Sequence, residues 1–202
     1  MLNRYARTFF TSLFTPLANI LLKWGVSPDA VTVVGTVGVA GGALLFYPLG
    51  ELFWGTLFIT LFVFSDVLDG IMARIQGRSG SWGSFLDSTL DRMADGAVFA
   101  GVAIWFFQGG DNSAIAVSAL ACLVLGMIVS YARAKAESLG YSANVGIAER
   151  AERLVSVLVV TGLTGLGLPE GVLLAVLVLL ALASVVTIIQ RIMAVRVQAA
   201  AA

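Results

Sequence analysis

The amino-acid sequence predicts an all-α integral membrane domain, six transmembrane helices preceded by an N-terminal amphipathic helix at the membrane surface. Three observations carry this prediction. Of 202 residues, 59% are hydrophobic and only 12% are charged, about half the charged share of an ordinary soluble domain, and the mean hydropathy is +0.97. Apolar runs recur along the whole length, so the hydrophobicity belongs to a domain and not to one anchor. The basic residues also gather on alternate turns between those runs, as they do on the cytoplasmic side of polytopic proteins.

Residues 2–24 set Leu2, Tyr5, Phe9, Leu13, Leu17, Ile20 and Trp24 at helical spacing, with Asn3, Arg4, Arg7, Thr8, Thr11 and Lys23 largely on other faces. That pattern predicts a helix in the headgroup plane. Its basic residues and Pro16 argue against a seventh span, and no cleavable signal pattern is expected. The expected organisation is an interfacial helix over 1–25, a membrane domain over 26–196 and a short tail over 197–202.

A bilayer core of about 30 Å takes about 20 helical residues, and six segments qualify, approximately 31–49, 52–75, 83–107, 113–136, 150–168 and 171–191. Ser27 and Pro28 supply a cap and a first helical residue for the first span. Gly35, Gly38, Gly41 and Gly42 give it a small face for close packing. The second and third spans reach full length only if the aspartates beside their apolar parts lie on the same helices. Cys122, the single cysteine, sits in an apolar run and reads as packing. Histidine is absent, so any general base must be another residue type.

On these spans all twelve basic residues, Arg4, Arg7, Lys23, Arg74, Arg78, Arg92, Arg133, Lys135, Arg150, Arg153, Arg191 and Arg196, fall on one side, and the opposite turns carry Glu51, Asp111 and Glu170. The basic side is expected to be cytoplasmic, with both termini inside, in a multi-pass protein of the cell membrane. Arg4, Arg7 and Arg196 are expected to meet lipid headgroups. The outer turns are short, so function belongs within the membrane or on its cytoplasmic face. No nucleic-acid partner is expected.

Residues 65–95 carry the chemistry. Asp66 and Asp69 are three apart and Asp87 and Asp91 four apart, so each pair shares one helical face. A charge inside a span costs about 2.5 to 3.5 kcal/mol on insertion scales. Divalent cations such as Mg²⁺ or Mn²⁺ accept all-oxygen ligation and neutralise such a cluster, and two ions suit four carboxylates better than one. Pairing with Arg74 and Arg92 is the alternative, and it leaves two carboxylates uncompensated. Gly70, Ala73 and Gly83 are small, so a bulky ligand could approach the helix backbones, although helix packing explains small residues as well. Gly77, Ser79, Gly80 and Ser81 in the following loop offer backbone and hydroxyl groups, and Arg74 could meet a phosphate.

Asp66, Asp69, Gly70, Ala73, Arg74, Gly83, Asp87 and Asp91 together spell D-x2-D-G-x2-A-R-x8-G-x3-D-x3-D, which resembles the signature of the CDP-alcohol phosphotransferase family at every defining position. The resemblance implies that Asp66, Asp69 and Asp87 hold two metal ions with the diphosphate of a CDP-linked donor. It implies too that Asp91 is the general base and a candidate ligand. Residues 27–32 resemble the family's donor-contacting start of helix 1, which assigns Asp29, Ala30, Val31 and Thr32 to the nucleotide. A homodimer is also implied.

Arg133, Lys135, Arg150, Arg153 and Arg191 are expected near cytoplasmic helix ends, where a cationic cavity suits an acceptor that already carries phosphate. Plain topology signals, with Glu149 paired to Arg153, are the alternative. The YARAKAESLG and ERAER stretches resemble the actinobacterial branch of the family that joins inositol 1-phosphate to CDP-diacylglycerol and releases CMP. Glycerol 3-phosphate, giving phosphatidylglycerophosphate, is the alternative acceptor. A divalent-cation transporter is the alternative from another class, but no acidic residues continue across the spans.

Overall fold

The computed structural model describes residues 2–77 and 80–201, and their side chains except those of residues 2–10 and 12. Arg78 and Ser79, and the side chains of Arg4 and Arg7, lie outside the described residues. Eight α-helices account for the regular structure described, apart from one 3-10 turn. They are α1 (Leu2–Lys23), α2 (Pro28–Phe46), α3 (Leu52–Val63), α4 (Ser65–Ile75), α5 (Ser81–Gln108), α6 (Ser113–Ser138), α7 (Arg150–Gly165) and α8 (Glu170–Ala200). No strand occurs among the described residues.

Four stretches are long and apolar enough to cross a bilayer, Pro28–Leu49, Leu52–Ile75, Ser113–Ser138 and Glu170–Ala200, as a multi-pass membrane protein requires. The other two expected spans are helices that fall short for separate reasons. In α5 the stretch from Ser81 to Asp95 carries Asp87, Asp91, Arg92 and Asp95. α7 has 16 residues, about 24 Å at 1.5 Å per residue. α8 continues to Ala200, into the residues expected as a tail.

The second span, expected as one helix, is broken at Phe64 between α3 and α4. Ser65 turns its hydroxyl onto the Phe62 carbonyl at 2.6 Å, a local bond that competes with the helical ladder. The break gives Asp66 and Asp69 a short helix of their own. By contrast, α5 runs unbroken through Asp87 and Asp91, as the span lengths required.

The chain divides into two compact units, Met1–Gly42 with Leu57–Ala94, and Ala43–Thr56 with Asp95–Ala202. In the first, Ala18 of α1 and Leu68, Ile71 and Met72 of α4 form a buried core, with Phe14, Leu21, Leu22, Val26, Val31 and Val67 against it. Leu13, Leu17, Ile20 and Trp24 remain exposed. The N-terminal helix therefore uses one apolar face to brace the aspartate helix and leaves another uncovered. The small face of α2 also packs. A Cβ at Gly42 would come 2.6 Å from Phe58 Cδ1, and one at Gly35 would overlap Ser65. Only Gly41 of that set faces open space.

In the second unit α8 packs along α6 and α7. Cys122 is buried with its thiol donating to the Leu177 carbonyl at 3.1 Å, the packing role expected of it. The stretch between α6 and α7 has no regular structure and is held by α8 side chains. Thr187 Oγ1 accepts from the amides of Ile147 and Ala148, each at 3.1 Å. Gln198 exchanges bonds with Ser142, accepting from its amide at 2.9 Å and donating to its carbonyl at 2.6 Å.

Candidate active site

The first turn of α2 begins the site. Ser27 Oγ accepts from the Ala30 amide at 3.2 Å and Pro28 opens the helix, the cap read from the sequence. This start fixes Asp29 and Thr32 one turn apart in register. Asp29 Oδ2 accepts from the indole N–H of Trp82 at 3.1 Å. Thr32 donates to the Pro28 carbonyl at 3.1 Å and to Asp69 Oδ2 at 2.5 Å. Ala30 and Val31 line an apolar cavity of about 380 Å³ that reaches Leu68. Of the four residues assigned to the donor, Ala30, Val31 and Thr32 thus face α4, and Asp29 meets Trp82 of α5.

Asp69 is 7% exposed, and Asp66 and Asp87 stand close enough for their charges to act on it. Two helices thus place Asp66 and Asp87 within electrostatic reach of Asp69. Among the described residues, no three acidic or thiol groups are gathered at ligating distance of one ion. Asp91 Oδ2 lies 3.6 Å from a guanidinium nitrogen of Arg92. Arg74 folds back to donate from Nε to the Gly70 carbonyl at 2.9 Å, with an exposed side chain. Ala73 is half-buried beside it.

Glycine surroundings separate two explanations for the small residues. A Cβ added at Gly70, Gly80 or Gly83 would meet nothing within 4 Å. Nothing in the packing requires glycine there, whereas Gly35, Gly38 and Gly42 of α2 are wedged against Ser65, Phe62 and Phe58. Gly70 and Gly83 thus leave open space over the backbones of the two aspartate helices. The donor set, all carboxylate and hydroxyl oxygen, fits hard divalent cations.

The five basic residues expected at an acceptor site do not behave alike. Arg133 pairs along its own helix with Glu137 at 2.9 Å, and Lys135 is exposed. Arg153 is 2% exposed and Arg191 3%. Arg191 donates to the carbonyls of Val145, at 2.9 Å, and Val129, at 2.5 Å, within electrostatic reach of Arg133. Arg153 donates to the Ala148 carbonyl at 2.9 Å. Arg150 and Arg153 meet on one carboxylate, Asp95, at 3.1 and 3.7 Å. Sequence reasoning passed over Asp95 and Trp82. The signal for Asp95 was present, because it extends the four-residue spacing of Asp87 and Asp91 by one more turn. Trp82 had no comparable signal in the sequence.

Comparison with known proteins gives the family. A model of the CDP-alcohol phosphatidyltransferase family matches residues 25–195. The chain belongs to that family. It is 54% identical to a phosphatidylinositol phosphate synthase of Streptomyces avermitilis, over 100% of this chain and 85% of the relative. It is 47% identical to one of Cutibacterium acnes, over 94% and 95%. Among solved structures it is similar to a phosphatidylinositol phosphate synthase of Mycobacterium tuberculosis with CDP-DAG bound, at a TM-score of 0.87 and 39% identity, over 91% of this chain and 94% of that one. The same synthase in complex with manganese and citrate gives a TM-score of 0.86 at 40% identity, over 90% and 88%. This phosphatidyltransferase thus shares its helical framework with proteins solved with a CDP-lipid and with a divalent metal.

Proposed function

We propose that this phosphatidyltransferase transfers the phosphatidyl group of CDP-diacylglycerol to inositol 1-phosphate, giving phosphatidylinositol phosphate and CMP. The observation that carries the reading is the convergence of Asp66, Asp69 and Asp87 beside glycines whose surroundings are open. The relatives' names supply the acceptor.

Asp66, Asp69 and Asp87, with Asp91 as a further ligand, hold two divalent cations, Mg²⁺ with Mn²⁺ as a substitute. When bound, such cations neutralise the donor's diphosphate and the charge developing on departing CMP. The open faces over Gly70, Gly80 and Gly83 admit the diphosphate, with Ala73 and Arg74 beside it, and Asp29, Ala30, Val31 and Thr32 border the nucleotide. Thr32 orients the Asp69 carboxylate. Asp91 accepts the proton of the acceptor hydroxyl as its oxygen bonds to the lipid-bearing phosphorus and the bond to CMP breaks. Arg133, Lys135, Arg150, Arg153 and Arg191 provide the positive field for the acceptor's phosphate.

The membrane arrangement belongs to the same proposal. α5 and α7 complete six crossings, α1 lies in the headgroup plane on its uncovered apolar face, and the site opens to the cytoplasm with both termini on that side. Residues 1–25 form the interfacial element and 26–196 the catalytic membrane domain. The protein works as a homodimer in the cell membrane. Cysteine labelling of the outer turns in intact cells and crosslinking in native membranes test these points.

The deciding experiment supplies CDP-diacylglycerol and Mg²⁺ with inositol 1-phosphate, inositol or glycerol 3-phosphate and measures CMP release. Inositol 1-phosphate is expected to be used fastest. Preference for glycerol 3-phosphate would reassign the acceptor, and metal flux into liposomes without CMP release would make the protein a transporter.

A further inference from the structure

Asp95 is a buried carboxylate outside the family signature. It is 8% exposed and follows Asp91 by four residues on α5. Its two oxygens are divided between two arginines from the start of α7. Arg150 Nε donates to Oδ1 at 3.1 Å, and a terminal nitrogen of Arg153 lies 3.7 Å from Oδ2. Arg153 is enclosed on its other sides. It donates to the Ala148 carbonyl at 2.9 Å, and it lies over Gly126 of α6, where an added Cβ would come 3.3 Å from its Nε. The Arg150 side chain is 26% exposed, so it is the member of the trio that a water-soluble anion can reach.

We infer that Asp95 is a positioning residue for the acceptor: its carboxylate, backed by the enclosed Arg153, fixes the Arg150 guanidinium in the orientation that receives the phosphate of a phosphorylated alcohol. This rests on the acceptor reading above. A long arginine side chain at a water-facing site samples many rotamers, and ordering it on ligand binding subtracts from affinity. A buried carboxylate that holds it beforehand removes that cost. Arg153 is anchored from three directions, by α5, by the turn before α7 and by α6, and it passes that rigidity through Asp95 to Arg150. The trio thus supplies a preset anion receiver of the kind a phosphate monoester requires.

The test uses the full-length enzyme with Asp95→Asn, which keeps size but removes charge, and Asp95→Glu, which keeps charge. KM for inositol 1-phosphate, KM for CDP-diacylglycerol, kcat and thermal unfolding are measured. Asp95→Asn is expected to raise acceptor KM by about tenfold or more, the weight of a charge-assisted hydrogen bond, with donor KM unchanged. Asp95→Glu is expected to recover part of that loss. If the Asn variant does not assemble, Asp95→Glu alone carries the test, its acceptor KM rising while its donor KM stays. Acceptor KM unchanged or lowered in the assembled variants, or both KM values rising together, overturns the inference. A wild-type enzyme that ignores inositol 1-phosphate overturns the acceptor reading, and the inference with it. Wild-type preference for inositol 1-phosphate with unaltered variants overturns the inference alone.

Discussion

The hydroxyl of Thr32 donates to Asp69 Oδ2 at 2.5 Å across 37 positions of sequence, tying the first turn of α2 to the aspartate helix α4. Both groups are buried, so the bond fixes which way the carboxylate points. Thr32→Val keeps the branched shape and removes the donor. The metal concentration for half-maximal activity is expected to rise about 10- to 100-fold, as for other residues that orient a metal ligand, and Thr32→Ser is expected to restore it. A Val variant with the wild-type Mg²⁺ titration would make Thr32 a packing residue only.

Two sets of glycines are expected to respond in opposite ways. A Cβ at Gly70 or Gly83 meets open space, and alanine favours helix over glycine by about 1 kcal/mol. Gly70→Ala and Gly83→Ala should therefore leave thermal unfolding unchanged or raised while KM for CDP-diacylglycerol increases. At Gly42 the same change presses on Phe58 at 2.6 Å and should lower stability by about 1 to 3 kcal/mol. Unaltered donor KM in the first pair would return those glycines to helix geometry.

The aspartates divide by role. Asp69→Asn should abolish turnover in a protein that still inserts and purifies, and a chelator should silence wild type reversibly. Asp91→Asn keeps shape, so CDP-diacylglycerol should still bind while transfer falls by about 10² to 10⁴, the range for loss of a general base. Equilibrium binding of labelled donor beside single-turnover transfer separates the two variants. Equal loss of binding in both would make Asp91 a ligand and nothing more.

How much of this was legible beforehand depended on whether the information was local. The helical faces joining Asp66 to Asp69 and Asp87 to Asp91 follow from spacing alone, and so does the Ser27 and Pro28 helix start. The break at Phe64 was not legible, because an apolar run looks the same with or without one lost ladder bond, and only Ser65 hinted at it. Side-chain burial was not legible either. Arg153 and Arg191 were expected at a cationic cavity, and the sequence did not show that they are buried against the backbone carbonyls of Ala148, Val129 and Val145. Asp95 is the counter-example, written into the same repeat as its neighbours and passed over because the family signature stops at Asp91.

That distinction between buried and exposed cations shapes the acceptor prediction. Lys135 is exposed and Arg133 is nearly half exposed, so Lys135→Ala and Arg133→Ala cost little stability, and any change in their acceptor KM reports on phosphate alone. Arg153→Ala removes a buried cation facing the buried Asp95 carboxylate, which keeps Arg150, so the cost is below about 3 to 5 kcal/mol, that of a pair broken outright. It should therefore lower the unfolding temperature as well as raise the acceptor KM. Arg191→Ala should behave in the same way, because it leaves the Val129 and Val145 carbonyls without their guanidinium donor. Arg153→Lys keeps the charge and loses the fork, so it should regain stability before it regains acceptor affinity. Free inositol is the control in every case. With no phosphate to receive, its turnover should not distinguish wild type from Lys135→Ala, and a variant that loses inositol and inositol 1-phosphate equally would show that these residues hold the helices together and do not read the acceptor.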